Sequence, residues 1–452
     1  MLWLYRLLFL PALLLASPYY LLRMRRRGGY RRHFAQRLGA IQGLGPKPAG
    51  MKRIWIQAVS VGEMLAIGPI LEAFRTDRFV EIYLTTTTST GYKVASERYR
   101  ELTAAIGYFP IDWWPFSANA WYRVDPDLVV LTEGERWPEH VNQAVLRKVP
   151  VISINARISD RSFRRLQSFP WVARQLTRGH SRILACSEHD AQRFRQLGFV
   201  ADSVSVTGNI KLDLSIPELS AQEKTALRHE LGLGTELVLL GSSTWEGEET
   251  ALVETLRACR AAGIACRLLL VPRHAERRSH VEAALRNSGF SYLLRTRGLA
   301  TEVVDVAVAD TTGELRRLTQ LADVVFVGKS LPPHDQGQTP VEAASLGRPL
   351  LFGPGMTNFR GIAEELVKAG AAVQVADVNA LAATAIELLK DPARRTAMAT
   401  AAKSWHVANQ GALERTLTVL RDELDRIEER VRAANLSKVG NFSSRPPFKA
   451  KE

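Results

Sequence analysis

Ala58-Val59-Ser60-Val61-Gly62-Glu63 joins a β-rich run, Ile54-Trp55-Ile56, to a helix-like run over 64–74. A strand that turns at once into a helix is the repeating unit of a parallel α/β sheet. Glu63 is also the first acidic residue of the chain. Before it stand Arg6, Arg23, Arg25, Arg26, Arg27, Arg31, Arg32, Arg37, Lys47, Lys52 and Arg53. A carboxylate at such a turn can act as a general base. It can equally occupy the first helical turn because the helix dipole favours it there. Position alone leaves both readings open.

The same alternation continues outward. Strands are expected over 54–58, 80–85, 128–131, 149–155, 183–186 and 203–206, with helical runs between most of them. A second series begins at 237–240 and continues with 266–271, 324–327 and 350–352. In parallel sheets ligands bind beyond the carboxyl ends of the strands, so polar clusters at those ends are the candidate sites. Thr85-Thr86-Thr87-Thr88-Ser89-Thr90-Gly91 suits an anion ahead of a helix, or simple helix capping. Thr132-Glu133-Gly134-Glu135-Arg136-Trp137-Pro138 carries two carboxylates, an Arg and a Trp at one strand end. Asn155-Ala156-Arg157 and Gly208-Asn209-Ile210-Lys211 end two more strands. In the second series Gly241-Ser242-Ser243-Thr244 fits a phosphate, as does Arg273 in Pro272-Arg273-His274, which can also be an ordinary surface Arg. Gly328-Lys329-Ser330 follows another strand, and Glu342 falls in a first helical turn after Pro340. There it serves the dipole or accepts ribose hydroxyls.

A chain of 452 residues exceeds one ordinary core. The expected divisions are 1–27, a membrane anchor with its basic flank; 28–212 and 213–435, two Rossmann-like domains; and 436–452, a disordered tail. Leu2–Leu22 is almost wholly apolar, broken by Arg6, Pro11 and Ser17, and is about long enough to cross a bilayer. The Arg23–Arg27 cluster after it places the rest of the chain in the cytoplasm. A secretory signal carries its charge before the apolar run, so cleavage is not expected. A monotopic anchor is the alternative to a span. The net charge of +14 is concentrated in the N-terminal segment, which points to anionic membrane lipid rather than nucleic acid. No nucleic-acid-binding signature is present. The three cysteines form no CxxC pair, as in a reduced cytoplasmic protein, and Cys259 and Cys266 are expected to be buried.

Taken in order, Val59-Ser60-Val61-Gly62-Glu63, Glu133-Gly134-Glu135-Arg136-Trp137-Pro138, Asn155-Ala156-Arg157, Gly208-Asn209-Ile210-Lys211, Ser243-Thr244-Trp245-Glu246-Gly247-Glu248-Glu249, Pro272-Arg273-His274 and Gly337 to Glu342 resemble 3-deoxy-D-manno-octulosonic acid (Kdo) transferases. These enzymes build the inner core of lipopolysaccharide. The resemblance implies two Rossmann-like domains facing a cleft, the GT-B glycosyltransferase arrangement, with an anchor helix at the N-terminus. It implies inverting transfer of Kdo from CMP-Kdo to a lipid A precursor, with no metal and no cofactor, at the cytoplasmic face of the inner membrane. Glu63 matches the general base, and Lys211 a basic residue near the donor sugar and its leaving phosphate. Glu135 and Arg157 fall on the acceptor side. Ser243, Thr244, Arg273 and Gly328 match the CMP side, and Glu342 the ribose contact. The chain departs from the usual family pattern at Lys329, at Gln338-Thr339, and at Gly134 and Arg136. The rival readings are a membrane-associated GT-B enzyme using a UDP-sugar, and a non-catalytic anchored protein that binds a sugar nucleotide or lipid.

Overall fold

The computed structural model describes residues 2–27 and 33–442, with side chains described over 2–22 and 33–433. It divides into two compact units, Met1–Asp213 with Gln410–Glu452, and Leu214–Asn409.

The first unit is built on seven parallel strands: β1 (Lys52–Gln57), β2 (Val80–Thr86), β3 (Ala105–Tyr108), β4 (Leu128–Thr132), β5 (Val151–Ala156), β6 (Arg182–Ala185) and β7 (Val204–Val206). Their spatial order is β3-β2-β1-β4-β5-β6-β7, so the winding reverses between β1 and β4. Helices cover both faces, which is why the central strands are buried along almost their whole length rather than alternating. Ile54 and Ile56 pack on one face with Met64, Ile67 and Leu84. Trp55 points to the other, against Phe109 and Trp121. Edge strand β3 was not expected from the sequence. It is four residues long and contains Gly107, whose Cβ would stand 2.3 Å from the Tyr83 hydroxyl.

The second unit repeats the plan with β8 (Leu237–Thr244), β9 (Cys266–Pro272), β10 (Tyr292–Leu294), β11 (Val306–Val308), β12 (Val324–Val327), β13 (Leu350–Phe352) and β14 (Ala372–Gln374). The order is β10-β11-β9-β8-β12-β13-β14, again all parallel, with the reversal between β8 and β12. Cys259 and Cys266 are buried in its core, as expected.

Two boundaries differ from expectation. The C-terminal helix Ala412–Phe442, assigned from sequence largely to the second domain, buries Leu417, Leu420, Leu424 and Ile427 in the core of the first. Asp213 fixes its start by accepting from the backbone N–H of Gly411 (2.6 Å) and of Leu413. The helix also runs through 436–442, where the tail was expected to be disordered. The remaining 443–452 lie outside the described residues.

The N-terminal helix Leu2–Arg27 contains the one segment among the described residues long and apolar enough to cross a membrane, Leu2–Leu22. Its first turns are tied to the first unit. Tyr5 donates to Asp112 Oδ2 (2.6 Å), and Arg6 makes a two-point contact with Glu139 (2.8 and 2.9 Å). Several of the N-terminal cations read as lipid-facing are likewise spent internally. Lys47 pairs with Asp127, Lys52 with Glu428 and the buried Arg53 with Glu81. The side chains of Arg23, Arg25, Arg26, Arg27, Arg31 and Arg32 lie outside the described set.

Candidate active site

The two candidate sites lie at the two reversals of winding. Between neighbouring strands whose connections leave in opposite directions, the loops part and open a crevice at the carboxyl edge. Chain geometry therefore delivers the turns after β1 and β4 to one place, and those after β8 and β12 to another.

In the first unit, Ser60 caps the helix Val61–Ala66 and Glu63 occupies its third position. The Glu63 carboxylate accepts from the backbone N–H of Val59 (2.9 Å), from Ser60 Oγ (2.9 Å) and from Thr132 Oγ1 at the end of β4 (2.6 Å). The helix-cap and functional readings are thus compatible, because the cap holds the carboxylate in one orientation. The threonine cluster after β2 resolves toward support. Thr88 caps its own helix, and Thr86 and Thr88 both donate to the Val59 carbonyl, bracing the turn that carries Glu63.

The loop after β4 separates two carboxylates by electrostatics. Glu133, at φ +50°, receives Lys211 Nζ on one oxygen and Arg157 (2.8 and 3.1 Å) on the other. Burial pushes its pKa up, but the two cations outweigh it and hold the carboxyl below its ordinary range. Glu135 goes the other way. Burial, and secondarily the charge of Glu63, raise it to about 8, although the Trp137 indole N–H donates to it. Asn155 completes the arrangement at φ +50°, its Oδ1 accepting from Ile210 N–H (3.0 Å) and so fixing the turn that carries Lys211. The structure therefore brings Glu63, Glu135, Arg157 and Lys211 to one edge. Sequence reading singled out these four. It did not single out Thr132 or Gln57, which reaches Glu135 at 3.4 Å, because neither departs from an ordinary strand pattern.

The Glu135 shift carries a sign. A carboxyl whose folded pKa lies near 8, above its ordinary 4.5, binds a proton more tightly in the folded state. Its contribution to stability is full at acid pH and is lost as pH rises through about 8. Thermal unfolding of the wild type minus that of Glu135→Gln is expected to fall steadily across this window. A pH-independent difference would show that Glu135 ionises normally.

In the second unit, β8 ends in Ser243 at φ +53° and the fully buried Thr244. Thr244 Oγ1 donates to Glu249 (3.0 Å), which also pairs with Arg277 (2.8 Å). Glu248 reaches across to the turn after β12. Its carboxylate accepts from the backbone N–H groups of Lys329 (2.7 Å), Ser330 (2.9 Å) and Leu331 (3.2 Å), and from Trp245 N–H (2.9 Å). This internal carboxylate thus fills the amide nest at Lys329-Ser330-Leu331, just after Gly328. Gly328 is required for the approach, since a Cβ would lie 2.6 Å from the Ser243 carbonyl oxygen and 2.7 Å from Thr244 Cα. Cations remain around this nest. Lys329, at φ +58°, rests its ammonium 4.0 Å from the centre of the Trp245 ring. Arg273 is exposed, its guanidinium without an ion-pair partner among the described residues. Glu342 has one carboxylate oxygen 3.9 Å from Arg316 and the other buried with no hydrogen-bond partner. A buried acceptor left open in this way is chemically suited to a hydroxyl donor from a ligand. The role of Glu248 was not legible locally, because the three amides it gathers from the turn after β12 lie more than 80 residues away.

Compared with known proteins, residues 32–214 match the family model described as 3-Deoxy-D-manno-octulosonic-acid transferase (kdotransferase). The chain is 34% identical to the 3-deoxy-D-manno-octulosonic acid transferase of Bordetella pertussis, over 89% of this chain and 94% of that protein. It is 32% identical to the enzyme of the same name from Haemophilus influenzae, over 88% and 92%. Among solved structures it is similar in fold to the Anabaena protein HepE in complex with UDP (TM-score 0.56, 17% identity, 83% of this chain and 100% of that one). It is similar also to the UDP-GlcNAc 2-epimerase of Neisseria meningitidis (TM-score 0.56, 14% identity, the same coverage). Those two likenesses show the two-Rossmann, GT-B-like fold; the sequence relatives show more, and the chain belongs to the 3-deoxy-D-manno-octulosonic acid (Kdo) transferase family.

Proposed function

We propose that the protein transfers Kdo from CMP-Kdo to a lipid A precursor at the cytoplasmic face of the inner membrane, in lipopolysaccharide core synthesis. The observation that carries the reading is the Glu63 carboxylate, held by three donors at the winding reversal of a Kdo transferase-family chain. In this reaction the acceptor hydroxyl oxygen bonds to the anomeric carbon of Kdo. The bond from that carbon to the CMP phosphate oxygen breaks, with inversion. Glu63 takes the hydroxyl proton, and the electron pair leaves on the phosphate. The transition state gains negative charge on the departing CMP, which fixed cations stabilise. Arg273 is an uncommitted cation at the edge of the second sheet, and Lys211 one already oriented by Glu133 in the first. Ser243 and Thr244 shape the CMP side by backbone and packing, Thr244 through its buried contact with Glu249. Gly328 contributes by allowing the close approach of β12 to β8. The open oxygen of Glu342 suits a ribose hydroxyl. Glu135 and Arg157 line the acceptor side, where a protonated Glu135 can donate a hydrogen bond to a phosphorylated sugar.

The test is product analysis by mass spectrometry with a donor panel and a tetraacylated lipid A precursor. CMP-Kdo is expected to give a product heavier by one or more Kdo units together with free CMP. Turnover of UDP-sugars alone would support the rival GT-B reading, and no turnover of any donor the non-catalytic one.

A further inference from the structure

We infer that the N-terminal helix Leu2–Arg27 does not cross the bilayer but lies in the cytoplasmic leaflet, with both of its ends on the side of the catalytic units. This rests on the membrane attachment assigned above and decides its geometry.

The start of the helix is pinned to the first unit. Arg6 Nε and Nη2 donate to the two oxygens of Glu139, which is fully buried. Tyr5 donates to Asp112, also buried, and the Trp113 indole N–H donates to the Arg6 carbonyl (3.3 Å). These contacts lie at the carboxyl edge of the sheet. Asp112 follows β3, and Glu139 opens the helix Pro138–Arg147 just after Trp137. The far end of the helix is on a short lead. Between Arg27 and His33 there are six Cα steps, which span at most about 20 Å. From His33 the chain passes into the turn Phe34–Leu38, where buried Gln36 accepts from the Tyr108 N–H (2.8 Å).

A spanning helix must place its two ends about 30 Å apart across hydrocarbon. Here one end is held by ion pair and hydrogen bond to the same unit that the other rejoins within that lead. Crossing would pull Arg6 from Glu139 and leave a buried carboxylate without its cation. The exposed surface of the helix identifies what covers it. Leu7 (71%), Leu15 (84%) and Leu22 (58%) are open to the outside, with Tyr19 and Tyr20 also exposed. Apolar side chains, interfacial aromatics and a following arginine cluster identify an anionic membrane as what covers the helix, and the two tethers, rather than an amphipathic pattern, set it in the plane of the leaflet. The same latch sets Glu139, and through Trp137 the Glu135 loop, beside the lipid surface.

The test uses the full-length protein carrying a short hydrophilic tag with a protease site before Met1. Protease is expected to remove the tag in inside-out membrane vesicles and to leave it intact in sealed spheroplasts. Removal in spheroplasts, with protection in inside-out vesicles, overturns the inference while leaving membrane attachment standing. Absence of the protein from the membrane fraction overturns both. A second measurement reads the latch directly. Arg6→Cys combined with Glu139→Cys is treated in native membranes with a short bis-maleimide, whose spacer replaces the reach of the two long side chains that meet end to end, with each single variant as control. An intramolecular cross-link is expected, whereas a spanning helix holds the two positions on opposite sides and forms none.

Discussion

Glu63→Gln is expected to lower Kdo transfer by about 10²–10⁴-fold while leaving CMP affinity essentially unchanged. The amide keeps the shape of the carboxylate and removes its basicity. It also fits the donors around it. Val59 N–H and Thr132 Oγ1 both donate to Oε2, so the amide oxygen takes that place. Its NH₂ then faces Ser60 Oγ, a hydroxyl that can turn to accept. The helix cap survives, because Ser60 still accepts from the Glu63 backbone N–H. Initial rates with CMP-Kdo and calorimetric titration of CMP separate the two effects. A variant with undiminished turnover would move the base elsewhere, and a variant that loses CMP binding would show that the change is structural.

Arg6→Ala is expected to destabilise the first unit by about 3–5 kcal/mol, the usual cost of removing one partner from a buried pair. Glu139, whose side chain is fully buried, is left with Gln143 Nε2 (2.7 Å) as its remaining side-chain donor among the described residues. Denaturant unfolding in detergent, followed by tryptophan fluorescence, measures the loss. The double change Arg6→Ala with Glu139→Gln is expected to recover part of it, since the stranded charge is gone. A loss of about 1 kcal/mol or less, as for an exposed pair, would show that the latch is not formed. For the same reason, deleting Met1–Arg27 is expected to weaken the first unit as well as membrane attachment. From sequence the segment reads as separable from the folded domains. The structure makes it part of one of them.

How far the sequence was legible follows from range. The central strands β1, β4, β8 and β12 announce themselves by β-branched and aliphatic runs, because burial on both faces demands apolar residues throughout. The strands that escaped, β3, β10, β11 and β14, are three or four residues long and take their register from neighbours rather than from their own composition. The C-terminal helix Ala412–Phe442 was legible as a helix but not as a member of the first unit. Its apolar stripe specifies burial without saying against what.

Residue order alone carries the parallel α/β plan, the two series of strands, the apolar N-terminal helix and the family to which the ordered motifs belong. It also brought forward Glu63, Glu135, Lys211, Arg273 and Glu342, because reactive side chains at strand ends are visible in one dimension. What those side chains face is set by the fold. Glu133 and Glu135 stand two residues apart in the same loop, yet Lys211 and Arg157 draw one toward ionisation while burial and Glu63 push the other to about 8. Glu248 fills a nest of amides from another strand, and Arg6 in an apolar helix neutralises a buried carboxylate at residue 139. Electrostatic energy depends on distance and on exclusion of water, and both are set by folding residues far apart in the chain into contact.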